Sequence, residues 1–356
     1  MSHEQLGPQR LASQQVAQPS SDDPATIVRS MGAIQAQDYL GALWAVGLRT
    51  LHASEQTVEQ ALAEARIVRT WPMRGTIHFV APEDVRWMLA LLTPRIVRLG
   101  QTRLRDLAID AVTLTASEVA LGLALEGGRQ LTRPELYAEL EQAGIATGGQ
   151  RGIHILGQLS MVGLLCFGAR AGKQPTFTLL DEWVSPTPPL SHDEALARLA
   201  GRYFTSHGPA TLHDFAWWSG LTMADARAGL AAVADQLAES RLDGRSYLAA
   251  RGLDAGSAAS EVFLLPSFDE FLLAYRDRAA VLDPAHADRV VPSSNGLFSP
   301  IVVVGGRVVG TWRRELKPGR VVLSYNVFDE FGPLDWQALD EQGARYGCFL
   351  NTTVEP

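Results

Sequence analysis

The pair of amides in Gln35-Ala36-Gln37 is the most pointed chemical feature of the sequence. If that segment is extended, both side chains fall on one face. An amide carbonyl accepts hydrogen bonds and presents a dipole, but it takes up no proton at neutral pH. The pair therefore suits the holding of a polar group rather than proton transfer. The same residues also read as surface amides or caps of the next helix. Asp38 is itself well placed to N-cap a helix beginning near Tyr39.

A second constellation runs from Arg69 to His78 and carries Trp71 and Arg74 between them. Its arginines suit phosphate or groove contact, and Trp71 would stack on a base or wedge beside it. The competing reading puts Trp71 and Met73 in a core and leaves the arginines solvated. A third joins Asp269 and Glu270 to Arg276, Asp277 and Arg278. Charges this close read first as a structural ion-pair network, with a catalytic carboxylate as the alternative. His78, His154, His207, His213 and His286 show neither metal nor triad spacing and read as core or surface residues. No Walker A loop, Rossmann fingerprint, GxSxG elbow or HExxH motif occurs, so kinase, dehydrogenase, serine hydrolase and zincin readings lose their main support.

The chain has 356 residues, enough for two or three units of the usual size. With 46% hydrophobic and 20% charged residues it has material for a sizeable core. Its two cysteines, Cys166 and Cys348, form no CxxC pair and fit a reducing compartment. The first 23 residues are polar and lack the apolar run of a signal peptide. Apolar stretches are broken by charge before the length of a membrane span. These features predict a soluble, cytoplasmic protein. A net charge of -8 counts against a uniformly basic nucleic-acid binder. Arginines nevertheless cluster at 66–74, at 86–105 and, with Lys317, at 313–320, and distribution matters more than the sum.

The elements that must position these groups follow a repeating plan. Asp23 as N-cap and Pro24 at the first position start a short helix. Helices follow over 40–50 and 54–65, then two strands over 66–80 around a Pro/Gly turn. Residues 83–110 read as a linker helix with a basic flank. Helices over 115–128, 131–145 and 151–165 precede a second hairpin. Helices over 191–208, 210–220 and 221–237 precede a third, turning at Asp243-Gly244. Strands then dominate from about 260, with turns at Gly305-Gly306 and Pro318-Gly319, before a closing helix. The fold class expected is α+β: tandem winged helix-turn-helix units, three in number, with a C-terminal β-barrel-like subdomain. The boundaries expected are 1–110, 111–185, 186–258 and 259–356.

Four motifs, in order, carry a family resemblance: IQAQD, RTWPMRGTIHFV, LLPSFDEFLLAYRDR and GRVVGTWRR. Over nearly its full length the chain resembles the AlkZ/YcaQ-like winged-helix DNA glycosylases of bacteria. The resemblance implies three winged helices curved around DNA and a C-terminal β-barrel. The family's Gln-apolar-Gln or Gln-apolar-Asp signature falls on Gln35-Ala36-Gln37, the double-glutamine branch associated with unhooking interstrand cross-links. Such chemistry needs no strong base. An N7-alkylated purine is cationic and leaves neutral, so the enzyme has mainly to place a water and stabilise an oxocarbenium-like sugar.

Under this reading Gln35 and Gln37 are catalytic. Arg69, Trp71, Arg74, His78, Arg95, Arg98, Arg313 and Arg314 are the DNA-binding candidates. Neither metal nor cofactor is expected, and the partner is duplex DNA carrying alkylated or cross-linked purines, bound by a monomer. The lysines, Lys173 and Lys317, fall in turn-like segments and offer no evident Schiff base. The alternative is a non-enzymatic winged-helix protein, a transcription regulator or lesion binder.

Overall fold

The computed structural model describes residues 2–254, 261–292, 296–328 and 332–355. The expected boundary at 258/259 lies outside the described residues. The chain divides into two compact units, Met1–Glu59 with Leu196–Pro356, and Gln60–Ala195. Each mixes helix and strand.

The first unit opens with a helix, His3–Ser13, in a stretch whose composition reads only as polar. Ser2 and Gln5 form a capping box, and Leu6, Gly7, Pro8, Arg10 and Leu11 are buried. Gly7 is required by a close approach: a Cβ there would sit 2.1 Å from the Gly306 carbonyl oxygen. Asp23 accepts from the backbone N–H of Ala25 and Thr26 and starts helix Pro24–Met31, with Pro24 at its first position. A short extended segment, Ile34–Gln35, leads to helix Tyr39–Gly47, and Asp38 caps it by accepting from the Gly41 N–H.

Later in the chain, helix His192–His207, which enters the first unit at Leu196, and helices Leu212–Ser219 and Met223–Ala231 precede the hairpin Leu237–Leu242 and Arg245–Ala250. Asp243 and Gly244 both have positive φ there, 49° and 72°, as a tight hairpin turn of this twist requires.

The C-terminal part of this unit holds a five-stranded sheet. Its order is Thr353–Glu355, Arg320–Val327, Arg307–Lys317, Ile301–Val304 and Val262–Leu265. Pairing is antiparallel except at Thr353–Glu355, which runs parallel to its neighbour. A register shift between Val302 and Val303 marks a bulge. Helix Pro333–Phe349 meets the sheet where the Tyr346 ring lies 5.3 Å from Trp312, and it meets helix Tyr39–Gly47 where Tyr346 and Phe349 lie 5.0 and 5.1 Å from Trp44. The indoles of Trp44 and Trp312 donate to the carbonyls of Leu264 and Leu265, each at 2.8 Å. Buried indole N–H groups are thereby satisfied by the strand that leads to Asp269 and Glu270.

In the second unit, strands Val68–Met73 and Thr76–Val80 lie in one sheet with Leu165–Phe167, Thr176–Leu179 and the short Leu131–Thr132. Around it stand helices Pro82–Asp106, Ala111–Leu125, Arg133–Gln142 and Arg151–Met161. Thr132 and Glu135 close a capping box, as the Thr-Arg-Pro-Glu pattern predicts. Among the described residues, no single helix is long and apolar enough to cross a membrane.

Candidate active site

The first unit buries a polar cluster beneath the Gln35 segment. Gln35 is 8% exposed, Ala36 is fully buried and Gln37 is exposed. Extended backbone ends at Gln35, and the chain bends at Gln37 as Asp38 turns it into the next helix. The backbone N–H of Gln35 donates to Glu270 Oε1 at 3.0 Å. The other carboxylate oxygen, Oε2, accepts from Trp218 Nε1 at 3.0 Å and lies 3.7 Å from His207 Nε2. Glu270 is 1% exposed and His207 fully buried. The Gln35 side-chain Oε1 is buried and accepts no hydrogen bond from the described residues.

A second buried pair stands beside the first. Arg49 donates from both terminal nitrogens to Asp269, at 2.9 and 2.8 Å. The same guanidinium donates to the Gln14 backbone and side-chain carbonyls and to Ala45 O, so its donors are well used. Gln14 Nε2 donates to Tyr275 Oη at 3.0 Å, and that hydroxyl donates to the His207 carbonyl at 2.6 Å. The N-terminal helix is thus tied into the site through Gln14. Burial pushes the Tyr275 phenol well up, so it stays a donor at any working pH.

The ion-pair network expected within 269–278 forms with other partners. Asp269 and Glu270 go to Arg49, Gln35 and Trp218, while Asp277 pairs with Arg245. The reason is direction. Asp269 caps the turn Glu270–Leu273, which aims both carboxylates inward, whereas Asp277 is at the surface.

His207 has its pKa lowered, first by burial, against the opposing pull of Glu270. The unfolded chain therefore takes up a proton near the ordinary histidine value of 6.5 while the folded chain does not. Stability contributed by keeping this ring neutral is full above that pH and falls as pH drops below it. Between about pH 7 and 5.5, the native melting temperature is expected to fall more steeply than that of His207→Phe. Parallel slopes for the two proteins in scanning calorimetry would remove His207 as the cause.

Of the DNA-binding candidates, Arg313 and Arg314 lie in the first unit. Arg313 is exposed. Arg314 donates to Tyr346 Oη at 2.6 Å and stands 3.8 Å from Asp38, one residue beyond Gln37. Asp38 also accepts from Ser267 Oγ at 2.6 Å, so the segment after the two glutamines is tied to the Asp269–Glu270 turn as well. Gly41 follows from this geometry, since a Cβ there would lie 2.5 Å from an Asp38 carboxylate oxygen.

The other six candidates lie in the second unit. Trp71 is buried, its ring stacked 4.9 Å from Phe167, and it borders a cleft of about 320 Å³ with Arg103 and His154. His78 is fully buried, with Nδ1 3.0 Å from Thr76 O and Nε2 3.4 Å from Arg74. Arg69 lies over the Phe167 ring at 4.3 Å. Arg95 and Arg98 are exposed on helix Pro82–Asp106. Among the described residues no group of three or more His, Cys, Asp or Glu side chains is arranged to hold a metal ion.

Sequence reasoning missed His207 and Trp218 as partners of Glu270 and Arg49 as the partner of Asp269, and left Glu270 as an outside choice. One signal was available: two adjacent acids inside the apolar run from Val262 to Tyr275. Carboxylates are rarely fully buried unless paired.

Comparison with known proteins defines the class. Residues 28–349 match the family described as DNA glycosylase AlkZ-like. An interstrand DNA cross-link repair glycosylase of Streptomyces sahachiroi is 30% identical over 316 residues, covering 83% of this chain and 82% of its own length. The solved structure of the Streptomyces sahachiroi DNA glycosylase AlkZ superposes with a TM-score of 0.80 at 26% identity, covering 100% of this chain and 99% of that one. The protein is a DNA glycosylase rather than a non-enzymatic DNA binder. It belongs to the AlkZ-like family.

Proposed function

We propose that this enzyme hydrolyses the N-glycosidic bond of N7-alkylated purines and of purines joined in interstrand cross-links. Gln35 and Gln37 are the groups that place the water. One observation carries the reading: Gln35 Oε1 is a buried acceptor that no described donor satisfies. An unsatisfied buried acceptor costs about 1–3 kcal/mol, and in a native protein it asks for a reason. A water whose O–H points at that oxygen, with its lone pair toward the anomeric carbon, supplies one. The substrate class follows from the chemistry of the amides. Because neither glutamine can accept a proton, the leaving base must be labile already, as a cationic N7-alkylpurine is. The relative is named for the repair of interstrand DNA cross-links.

Arg95, Arg98 and Arg313 are exposed, and with Arg69, Arg74 and Arg314 they make up the basic set assigned to phosphate contact. Trp71 and His78 support the wing hairpin from within and would reach DNA only after a rearrangement. The chain order of helices followed by a hairpin, met three times, supports three winged-helix units at 1–110, 111–185 and 186–258. The bulged five-stranded sheet supports a barrel-like subdomain at 259–356. The enzyme works as a monomer on duplex DNA in the cytoplasm, without metal or cofactor.

The test is base release from a duplex carrying one N7-methylguanine and, in parallel, from an N7-linked interstrand cross-link. Release of free base from both is expected, with no strand nicking by a lyase step. Tight binding to either duplex without release would overturn the substrate assignment.

A further inference from the structure

We propose that Glu270 is the positioning residue of the Gln35 site: its buried carboxylate fixes the backbone that carries the water-holding amide. The proposal rests on the reading of Gln35 given above and adds a residue that reading does not need. Glu270 and Gln35 lie 235 residues apart in sequence, yet the carboxylate meets the Gln35 N–H at 3.0 Å. The contact is to the main chain of that residue, so it fixes where the side chain starts without occupying the side-chain carbonyl. Oε1 of Gln35 takes no hydrogen bond from the described residues while its backbone is held.

Stability alone does not explain a charge at this depth. A carboxylate taken out of water costs several kcal/mol, and a well-packed apolar or amide residue often serves as well. What the charge adds is a directional acceptor, roughly twice as strong as a neutral one. Its placement is itself over-determined. Trp218 Nε1 donates to Oε2 at 3.0 Å, and Trp218 packs against Tyr203 and His207 with ring centroids 5.0 and 5.2 Å away. Asp269, the preceding residue, is clamped by Arg49. An acceptor held in this way restrains the Gln35 backbone, and a productive site tolerates displacements of only about 0.5 Å. That precision matters, because misplacing a reacting group by about 1 Å costs on the order of 10²-fold in rate.

The arrangement offers a discriminating set of variants. In Glu270→Gln the amide oxygen still accepts from Gln35, but its NH₂ then faces the Trp218 N–H, and two donors meet. Removing that donor with Trp218→Phe relieves the conflict. Single-turnover base release from the N7-methylguanine duplex should slow about 10²-fold in Glu270→Gln, with duplex affinity retained. The double variant Glu270→Gln/Trp218→Phe should recover most of the rate, whereas Glu270→Ala/Trp218→Phe should not. A purely structural role predicts instead that rate loss tracks the melting temperature and that the double variant is no better than the single one.

A folded Glu270→Gln enzyme at the native rate overturns the proposal, as does a slowed one that the second substitution fails to rescue. Should neither variant fold, Glu270→Asp keeps the charge and withdraws it by one methylene. A slowed, folded Glu270→Asp enzyme supports the proposal, and one at the native rate overturns it. The Gln35 reading fails separately, if Gln35→Ala releases base as fast as the native enzyme whatever Glu270 does.

Discussion

Truncating Gln35 to alanine is expected to slow base release about 10²–10³-fold while leaving the protein as stable as before, or slightly more so. The rate estimate is that for removing one preorganised polar group from a site where charge develops. The stability expectation follows from the same atom. Gln35 Oε1 is buried and unsatisfied, so its removal lifts a desolvation cost of about 1–3 kcal/mol, against the packing lost with one methylene and the amide itself. The Glu270 bond to the backbone of residue 35 survives the change. Loss of activity with retained stability is the mark of a group kept for function. Gln37 is exposed, so Gln37→Ala should be neutral for folding, and its rate separates the two amides. Single-turnover release, duplex affinity and a thermal melt, taken together on each variant, decide the matter. A Gln35→Ala protein that melts well below the native one and loses rate only in proportion would make this residue a packing element.

Local signals carried most of the fold. Caps at Asp23, Asp38 and Thr132, and the Asp243-Gly244 turn, act over three or four residues, and each stands where the pattern placed it. The N-terminal helix escaped for a physical reason. Its buried face includes Gly7, Pro8 and Arg10, and Arg10 is buried because it donates to the Pro209 carbonyl and lies over the Tyr275 ring at 3.5 Å. No hydrophobic stripe announces a face whose partners are 199 residues or more away. The Ser2–Gln5 capping box was the one available sign.

The site divides in the same manner. Gln35 and Gln37 stand out in the sequence as candidates because two amides flank a single residue. Their supports do not, since Glu270, Trp218 and His207 reach them only through the tertiary fold. The hairpin candidates show the limit from the other side. Trp71 and Arg74 look alike as DNA contacts in sequence, yet Trp71 is clustered in the interior with Phe167 and Phe177 while Arg74 sits at a turn with φ of 54°. An aromatic flanked by arginines is compatible with either a core or a groove, and only the neighbours decide.

The largest effect on stability is expected at Arg49 and Asp269. Their side chains are 0% and 1% exposed and share two hydrogen bonds. Asp269→Asn strands a guanidinium in the core, and breaking such a pair from one side costs about 3–5 kcal/mol. That is a large fraction of the 5–15 kcal/mol of a typical fold. Asp269 Oδ1 also accepts from the Phe271 N–H, so the turn presenting Glu270 loosens as well. Arg49→Met should cost a similar amount, by leaving Asp269 charged and half-satisfied. The double variant Arg49→Met/Asp269→Leu removes both charges and should recover much of the loss, because the desolvation penalty goes with them. Denaturant unfolding of the four proteins measures the coupling directly. Additive losses would mean that the pair is not an energetic unit. Recovery of stability without recovery of base release would locate the purpose of the pair: it holds the Glu270 turn against the strand of Gln35, a task that apolar packing fills less precisely.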